Sequence, residues 1–186
     1  MHDRIDISNL IIAVIFSALA IAVPVIFHAI GLGSMFMPMY LPLAIGAFLM
    51  TRVNAAMAGF FTPLISALVT GMPPFYPPVA FVMMLQLAVF CFTISLMTHR
   101  FKFGVIVSLA VAVLLDRFLL MALFYLVYPL FSIDSRIITL YDLLKSLPGI
   151  ALLFIVVPLA VLRCGAILRK NSLHLFEHRH GENHEH

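Results

Sequence analysis

The sequence ISNLIIAVIFSALAIAVPVIF, residues Ile7–Phe27, is a long run without a single charged side chain. An α-helix needs roughly 20 mainly apolar residues to cross the hydrocarbon core of a bilayer. The run is long enough to do so, and Ser8 and Asn9 are residue types that commonly begin a helix. We therefore predict that this stretch forms a membrane-spanning helix.

The rest of the chain has the same apolar character. Of its 186 residues, 63% are hydrophobic and 10% are charged, whereas a soluble domain carries about 25% charged residues. The predicted fold class is all-α: a polytopic membrane protein of six transmembrane helices over residues 1–170, with a His-rich tail over 171–186 that is expected to be disordered. After the first span, the expected spans are 39–51, which is short, 54–70, 79–97, 103–127 and 140–164.

Lysine and arginine are distributed unequally between the two sides of these spans. The termini and one set of connections carry Arg4, Arg52, Arg100, Lys102, Arg163, Arg169, Lys170 and Arg179. The connections on the other side carry only Arg136, with Lys145 early in the sixth span. Because basic residues mark the cytoplasmic side of a membrane, both termini are predicted to be cytoplasmic. The net charge of +3 is explained in this way, and no nucleic-acid partner is expected.

The connection between the third and fourth spans is TGMPPFYPPV, residues 70–79, which contains four prolines and no charge. Proline fixes φ and removes a hydrogen-bond donor, so this segment is conformationally restricted. One interpretation is a preformed lid on the outer side of the bundle, with Phe75 and Tyr76 supplying ring faces to a ligand. The other is a tight connector whose prolines only end two helices.

Asp116 and Arg117 lie near the middle of the fifth span, in AVLLDRFLL. Adjacent helical residues point about 100° apart, so the two side chains are not expected simply to face each other. Charges at this depth are costly unless they are paired or hydrated. In one interpretation Arg117 binds a carboxylate or phosphate of a substrate, or Asp116 binds an amine. In the other, both belong to a buried ion-pair or hydrogen-bond network that fixes helix packing.

Three further polar residues are candidates in or beside the spans. Gln86 could hydrogen-bond a ligand or bridge two helices. His28, at the outer end of the first span, could line a pocket or simply lie at the wet interface. Asn54 is interpreted as the N-cap of the third helix.

The sequence contains no phosphate-binding loop, no Ser-His-Asp arrangement and no HExxH motif. We therefore expect no catalytic residue, no cofactor and no metal site, so the protein itself is not expected to be an enzyme. Cys91 and Cys164 are interpreted as small buried side chains. The tail could bind zinc or nickel through its histidines, or be merely solvated. These histidines are His174, His178, His180, His184 and His186.

Four short segments carry a family resemblance. They are HAIGLGS at 28–34, PMYLP at 38–42, TPLIS at 62–66 and TGMPPFYPPVA at 70–80. In this order and spacing, over about residues 13–120, the chain resembles the substrate-binding S component of energy-coupling factor (ECF) vitamin transporters. The resemblance implies a six-helix protein of the prokaryotic plasma membrane, which captures a small water-soluble vitamin or related heterocycle from outside. It also implies delivery through a transmembrane coupling subunit that is driven by two ATPase subunits.

The resemblance also implies a docking face of small residues on the first span, where Ala18 and Ala22 have the required spacing. Gln86 departs from the family pattern, because a glutamate often stands there, and the neutral amide disfavours an obligate cation as ligand. The expected substrate-binding residues are His28, Gly33, Phe75, Tyr76, Gln86 and Arg117. A stand-alone secondary carrier and a structural membrane subunit are the alternative functions, and the sequence does not identify the vitamin.

Overall fold

The computed structural model describes residues 7–29, 38–75, 79–127 and 146–163. Gly33, Tyr76 and Cys164, the start of the predicted sixth span and the whole His-rich tail lie outside these residues. All regular structure in the described part is helical. The helices are α1 (Ile7–Ala29), α2 (Tyr40–Leu49), α3 (Arg52–Thr70), α4 (Val79–His99), α5 (Val105–Val127) and α6 (Leu147–Arg163).

Four of these helices are long and apolar enough to cross a bilayer, which identifies the chain as a helical membrane protein. They are Ile7–Phe27 within α1, the whole of α3 and α4, and Val105–Leu123 within α5. Within the described residues, α2 and α6 are shorter apolar helices. The prediction that the second apolar run is short is therefore confirmed.

Local chemistry sets both ends of α3. Thr51 precedes the helix in an extended conformation, with φ −65° and ψ 156°, and its carbonyl accepts a hydrogen bond of 2.9 Å from the Ala55 amide. The interpretation of Asn54 as the N-cap is therefore wrong, because Asn54 is already inside the helix and is buried. At the other end, Gly71 has φ 73°, a left-handed conformation that glycine adopts without steric cost.

The α3–α4 pair makes the most extensive helix contact among the described residues, and Gly59 allows the two helices to approach closely. A Cβ atom added to Gly59 would overlap the Leu87 carbonyl oxygen and would lie 2.6 Å from the Leu87 carbonyl carbon and 2.8 Å from the Ala88 nitrogen. The backbones of the two helices therefore touch at this point. Small residues permit such close approach in lipid, where van der Waals packing drives helix association.

The first helix is attached to the bundle along a narrow face. Ala13 and Ala20 are buried there, and Thr62 Oγ1 of α3 lies 2.9 Å from Ser17 Oγ. The opposite face is open, since only 6% of the spanning window of α1 is buried. Ala18 and Ala22, the predicted docking residues, are both exposed on this helix.

Candidate functional site

A cluster of polar side chains lies inside the apolar bundle, and Asp116 of α5 is its centre. The Asp116 carboxylate is 1% exposed. Its Oδ1 accepts hydrogen bonds from the Tyr40 hydroxyl at 3.1 Å and from Gln86 Nε2 at 3.4 Å. Its Oδ2 accepts two more, from Arg117 Nε at 3.1 Å and from Arg117 Nη2 at 2.8 Å. Four donors thus surround one carboxylate.

The pairing of Asp116 with Arg117 differs from the expectation that adjacent residues do not face each other. Their Cα–Cβ bonds do diverge around the helix, but the long arginine side chain folds back along α5 and brings its guanidinium onto its neighbour. An isolated buried carboxylate would cost several kcal/mol in lost hydration. The ion pair and the two neutral donors offset that cost, so the bundle tolerates a charge at this depth.

The same arginine connects the cluster to the sixth helix. Arg117 Nη1 donates a hydrogen bond of 3.0 Å to Ser146 Oγ, and Ser146 immediately precedes α6. The cluster therefore joins residues from α2, α4 and α5 with the start of α6. We name Tyr40, Gln86, Asp116, Arg117 and Ser146 the polar cluster.

The polar cluster lies near the middle of α5, one of the helices long enough to cross a bilayer. Asp116 is eleven residues into α5, which corresponds to about 16 Å at the helical rise of 1.5 Å per residue. The hydrocarbon core of a bilayer is roughly 30 Å thick. Tyr40 is the first residue of α2, so α2 begins at this depth and extends through only half of the bundle.

The surroundings of the polar cluster are apolar and well packed. The rings of Tyr40 and Phe90 meet edge to face, with centroids 5.1 Å apart. Phe90 and Leu87 have no exposed surface, and Cys91 is 1% exposed, so the prediction that Cys91 is a small buried side chain is confirmed. In such a medium a hydrogen bond is stronger than in water, and an unpaired polar group is correspondingly costly.

The structure brings two of the predicted site residues together and leaves the others apart or undescribed. Gln86 and Arg117 both contact Asp116. His28 belongs to the last turn of α1, but its side chain lies outside the described residues, as do Gly33 and Tyr76.

Phe75 lies in the proline-rich connection between α3 and α4. Its ring packs on Phe81 at the start of α4, with centroids 6.0 Å apart. The Met72 carbonyl accepts a hydrogen bond of 2.7 Å from Ser66 Oγ. The described part of this connection therefore packs on the two helices that it joins, and the tip at 76–78 lies outside the described residues.

Sequence reasoning missed Tyr40 and Ser146. Tyr40 carried a usable signal, because a buried tyrosine in an apolar segment needs a hydrogen-bond partner for its hydroxyl. Ser146 carried none, since a serine before a helix is ordinary. In the part of the chain that the structure describes, no group of three or more histidine, cysteine or acidic side chains could hold a metal ion.

No family model, curated protein or solved structure matches the chain. The resemblance to ECF S components therefore rests on the sequence motifs alone.

Proposed function

We propose that the protein is the substrate-capture S component of an ECF-type importer in the prokaryotic plasma membrane, with six spans and both termini in the cytoplasm. It would bind a small water-soluble vitamin or related heterocycle from the outside. The observation that carries the proposal is the polar cluster, which concentrates hydrogen-bonding groups at one depth of an otherwise apolar bundle. Binding sites for small molecules commonly combine apolar walls with a few convergent polar groups.

Within this proposal, the residues of the polar cluster have different roles. Asp116 already accepts four hydrogen bonds, which is about the capacity of a carboxylate. It is therefore assigned to holding Arg117, Gln86 and Tyr40 in position, and not to contacting the ligand. Arg117 has a side chain that is 14% exposed, and with Gln86 it is assigned to the polar edge of the vitamin. His28, Gly33, Phe75 and Tyr76 complete the proposed site on the outer side.

The energy for transport would come from partner proteins. The sequence contains no nucleotide-binding motif, so the proposal requires a transmembrane coupling subunit and two ATPase subunits. The exposed face of α1 is proposed as the docking surface, with Ala18 and Ala22 allowing a partner helix to approach closely. A leucine at either position would hold the partner helix away.

The test of capture is native mass spectrometry of the protein purified in mild detergent, followed by identification of any released small molecule. One vitamin-sized ligand per chain is expected. Arg117→Lys keeps the positive charge but removes the planar guanidinium group and its fixed set of N–H donors, so it should weaken the binding of that ligand. Arg100→Lys is the matched control, because Arg100 is exposed in the α4–α5 connection. A protein that carries no ligand and binds no member of a vitamin panel contradicts the proposal.

Docking is tested separately by co-purification with the coupling subunit. Ala18→Leu and Ala22→Leu should each reduce the amount of the subunit that is recovered. Ala122→Leu makes the same change at an exposed position of α5 and should leave recovery unchanged. Equal recovery with all three variants would assign the open face of α1 to lipid.

A structural membrane subunit is the second candidate function. The observation that favours it is the pairing of Asp116 with Arg117, since a buried ion pair can serve packing alone. In that case Arg117→Lys would lower stability without changing the retention of any small molecule. A stand-alone secondary carrier would transport its substrate into vesicles that contain only this chain, whereas an S component or a structural subunit would not.

A further inference from the structure

The connection between α4 and α5, residues 100–104, has the sequence RFKFG, and all five residues are exposed. We propose that this connection binds the headgroup of an anionic phospholipid, a property that goes beyond the proposed transport function and does not depend on it. Arg100 and Lys102 supply the charge, and the rings of Phe101 and Phe103 anchor the connection at the boundary between headgroups and acyl chains.

The two phenylalanine rings form a single apolar surface. Their centroids are 6.0 Å apart and their planes differ by 18°, so the rings are stacked. Phe101 is 55% exposed and Phe103 is 49% exposed. Phenylalanine is among the apolar side chains that membrane-surface segments bury at the boundary between headgroups and acyl chains.

The backbone holds this surface in a fixed geometry. The Phe103 amide donates a hydrogen bond of 3.1 Å to the Met97 carbonyl, and the Phe101 amide donates one of 3.4 Å to the Leu96 carbonyl. Ser108 Oγ approaches the Phe103 carbonyl at 3.5 Å. Because the connection is already tied to both helices, little conformational entropy is lost when a lipid binds.

The two cations have no acidic neighbour in the described part of the chain. Asp116 is the single carboxylate among the described residues, and it is buried beside Arg117 inside the bundle. Arg100 and Lys102 are exposed at the end of α4. Their charge is therefore available to a phosphate group outside the protein.

Basic residues of two connections lie close together at this end of the described helices. Ser95 Oγ donates a hydrogen bond of 2.8 Å to the Met50 carbonyl, which places the α2–α3 connection, with Arg52, beside the end of α4. At the opposite end, the described residues of the α3–α4 connection, 71–75, contain no lysine or arginine. Basic residues on one side of a membrane protein face the cytoplasmic leaflet, where anionic lipids are enriched.

A lipid headgroup fits this surface better than an acidic protein segment does. The stacked rings lie in the connection between two spanning helices, at the level where a bilayer ends. Arg100 and Lys102 are each adjacent in sequence to a ring, and their long side chains can reach a phosphate at that level. An acidic segment would use the cations and would leave the rings without a partner.

The test uses the full chain in nanodiscs that contain phosphatidylcholine and phosphatidylglycerol in equal amounts, with the retained lipids identified by native mass spectrometry. The wild type should retain phosphatidylglycerol preferentially. Arg100→Gln with Lys102→Gln should lower that preference about 25-fold, at about five-fold for each basic residue near the surface. Arg163→Gln, with Arg163 exposed at the end of α6, is the control for a general loss of charge. An unchanged preference in the double variant overturns the proposal.

A second measurement places the lipid at the rings. The chain contains no tryptophan, so Phe101→Trp creates a single fluorescent reporter. Brominated phosphatidylglycerol should quench it more strongly than brominated phosphatidylcholine, and high salt should reduce the difference because it screens exposed charges. Equal quenching by the two lipids overturns the proposal. The double variant could also keep its lipid preference but recover less of the coupling subunit. That result would assign the connection to a protein contact and would overturn the lipid proposal.

Discussion

Replacing Gly59 by alanine tests whether the backbones of α3 and α4 touch. The added Cβ would lie 2.6 Å from the Leu87 carbonyl carbon, whereas ordinary contacts of a Cβ atom begin near 3.4 Å. The helices must therefore separate by at least about 0.8 Å at this point, because the Leu87 carbonyl oxygen lies closer still to the added Cβ. A gap of that size costs neighbouring atoms a quarter to a half of their dispersion energy. The clash cannot be relieved by a side-chain rotation, because the obstructing atoms belong to the backbone.

The expected magnitude combines two opposing effects. Overpacking of this kind costs about 3 kcal/mol at the upper end of its usual range. Alanine favours a helix interior over glycine by about 1 kcal/mol, so Gly59→Ala should destabilise the protein by about 2 kcal/mol. Gly104→Ala is the matched control, since nothing lies within 4 Å of its added Cβ, and a surface change of this kind stays within about 0.5 kcal/mol.

The assay is unfolding in mixed detergent micelles, followed by far-ultraviolet circular dichroism. The free energy of unfolding is compared among the wild type, Gly59→Ala and Gly104→Ala. A Gly59→Ala protein that is as stable as the wild type, or more stable, would refute the close backbone contact of α3 with α4.

Two further substitutions test contacts between other helices in the same unfolding assay. Asp116→Ala removes the buried carboxylate that pairs with the Arg117 guanidinium and should lower the free energy of unfolding by about 3–5 kcal/mol. Asp116→Leu with Arg117→Met should lower it less, and a larger loss in the double variant would contradict this account of the ion pair. Thr62→Val removes the polar contact with Ser17 and should lower the free energy of unfolding by about 0.6 kcal/mol, the average for hydrogen bonds between membrane helices. An unchanged free energy of unfolding would show that apolar packing alone joins α1 to α3.

Hydrophobicity alone was enough to predict most of the helices. The predicted span 79–97 corresponds to α4, Val79–His99, and the predicted first span coincides with the spanning part of α1. Long apolar runs predict helices well, because in lipid such a stretch must form its own backbone hydrogen bonds, whatever its neighbours are. The start of α3 was less predictable, because Thr51 and Asn54 are both suitable capping residues.

The candidate site was only partly predictable, because its partners come from distant parts of the chain. Asp116, Arg117 and Gln86 are recognisable as polar residues inside apolar runs. That Tyr40 donates to Asp116 depends on which helices surround the start of α2, and no local pattern contains that information. A buried ion pair was one of the two interpretations of Asp116 and Arg117, but the sequence could not choose between them, because the direction of the Cα–Cβ bonds does not show where a long arginine side chain ends.

The short second helix has a consequence for how the protein enters its membrane. At ten residues, α2 is about 15 Å long and cannot cross a bilayer of roughly 30 Å on its own. The first helix is long enough to enter lipid by itself, whereas α2 packs against α1, α3 and α4 and has all of these neighbours only after α4 has been synthesised. The contact of Tyr40 with Asp116 forms later still, once α5 is present, and truncated chains that end before α4 should leave α2 accessible to water-soluble labelling reagents.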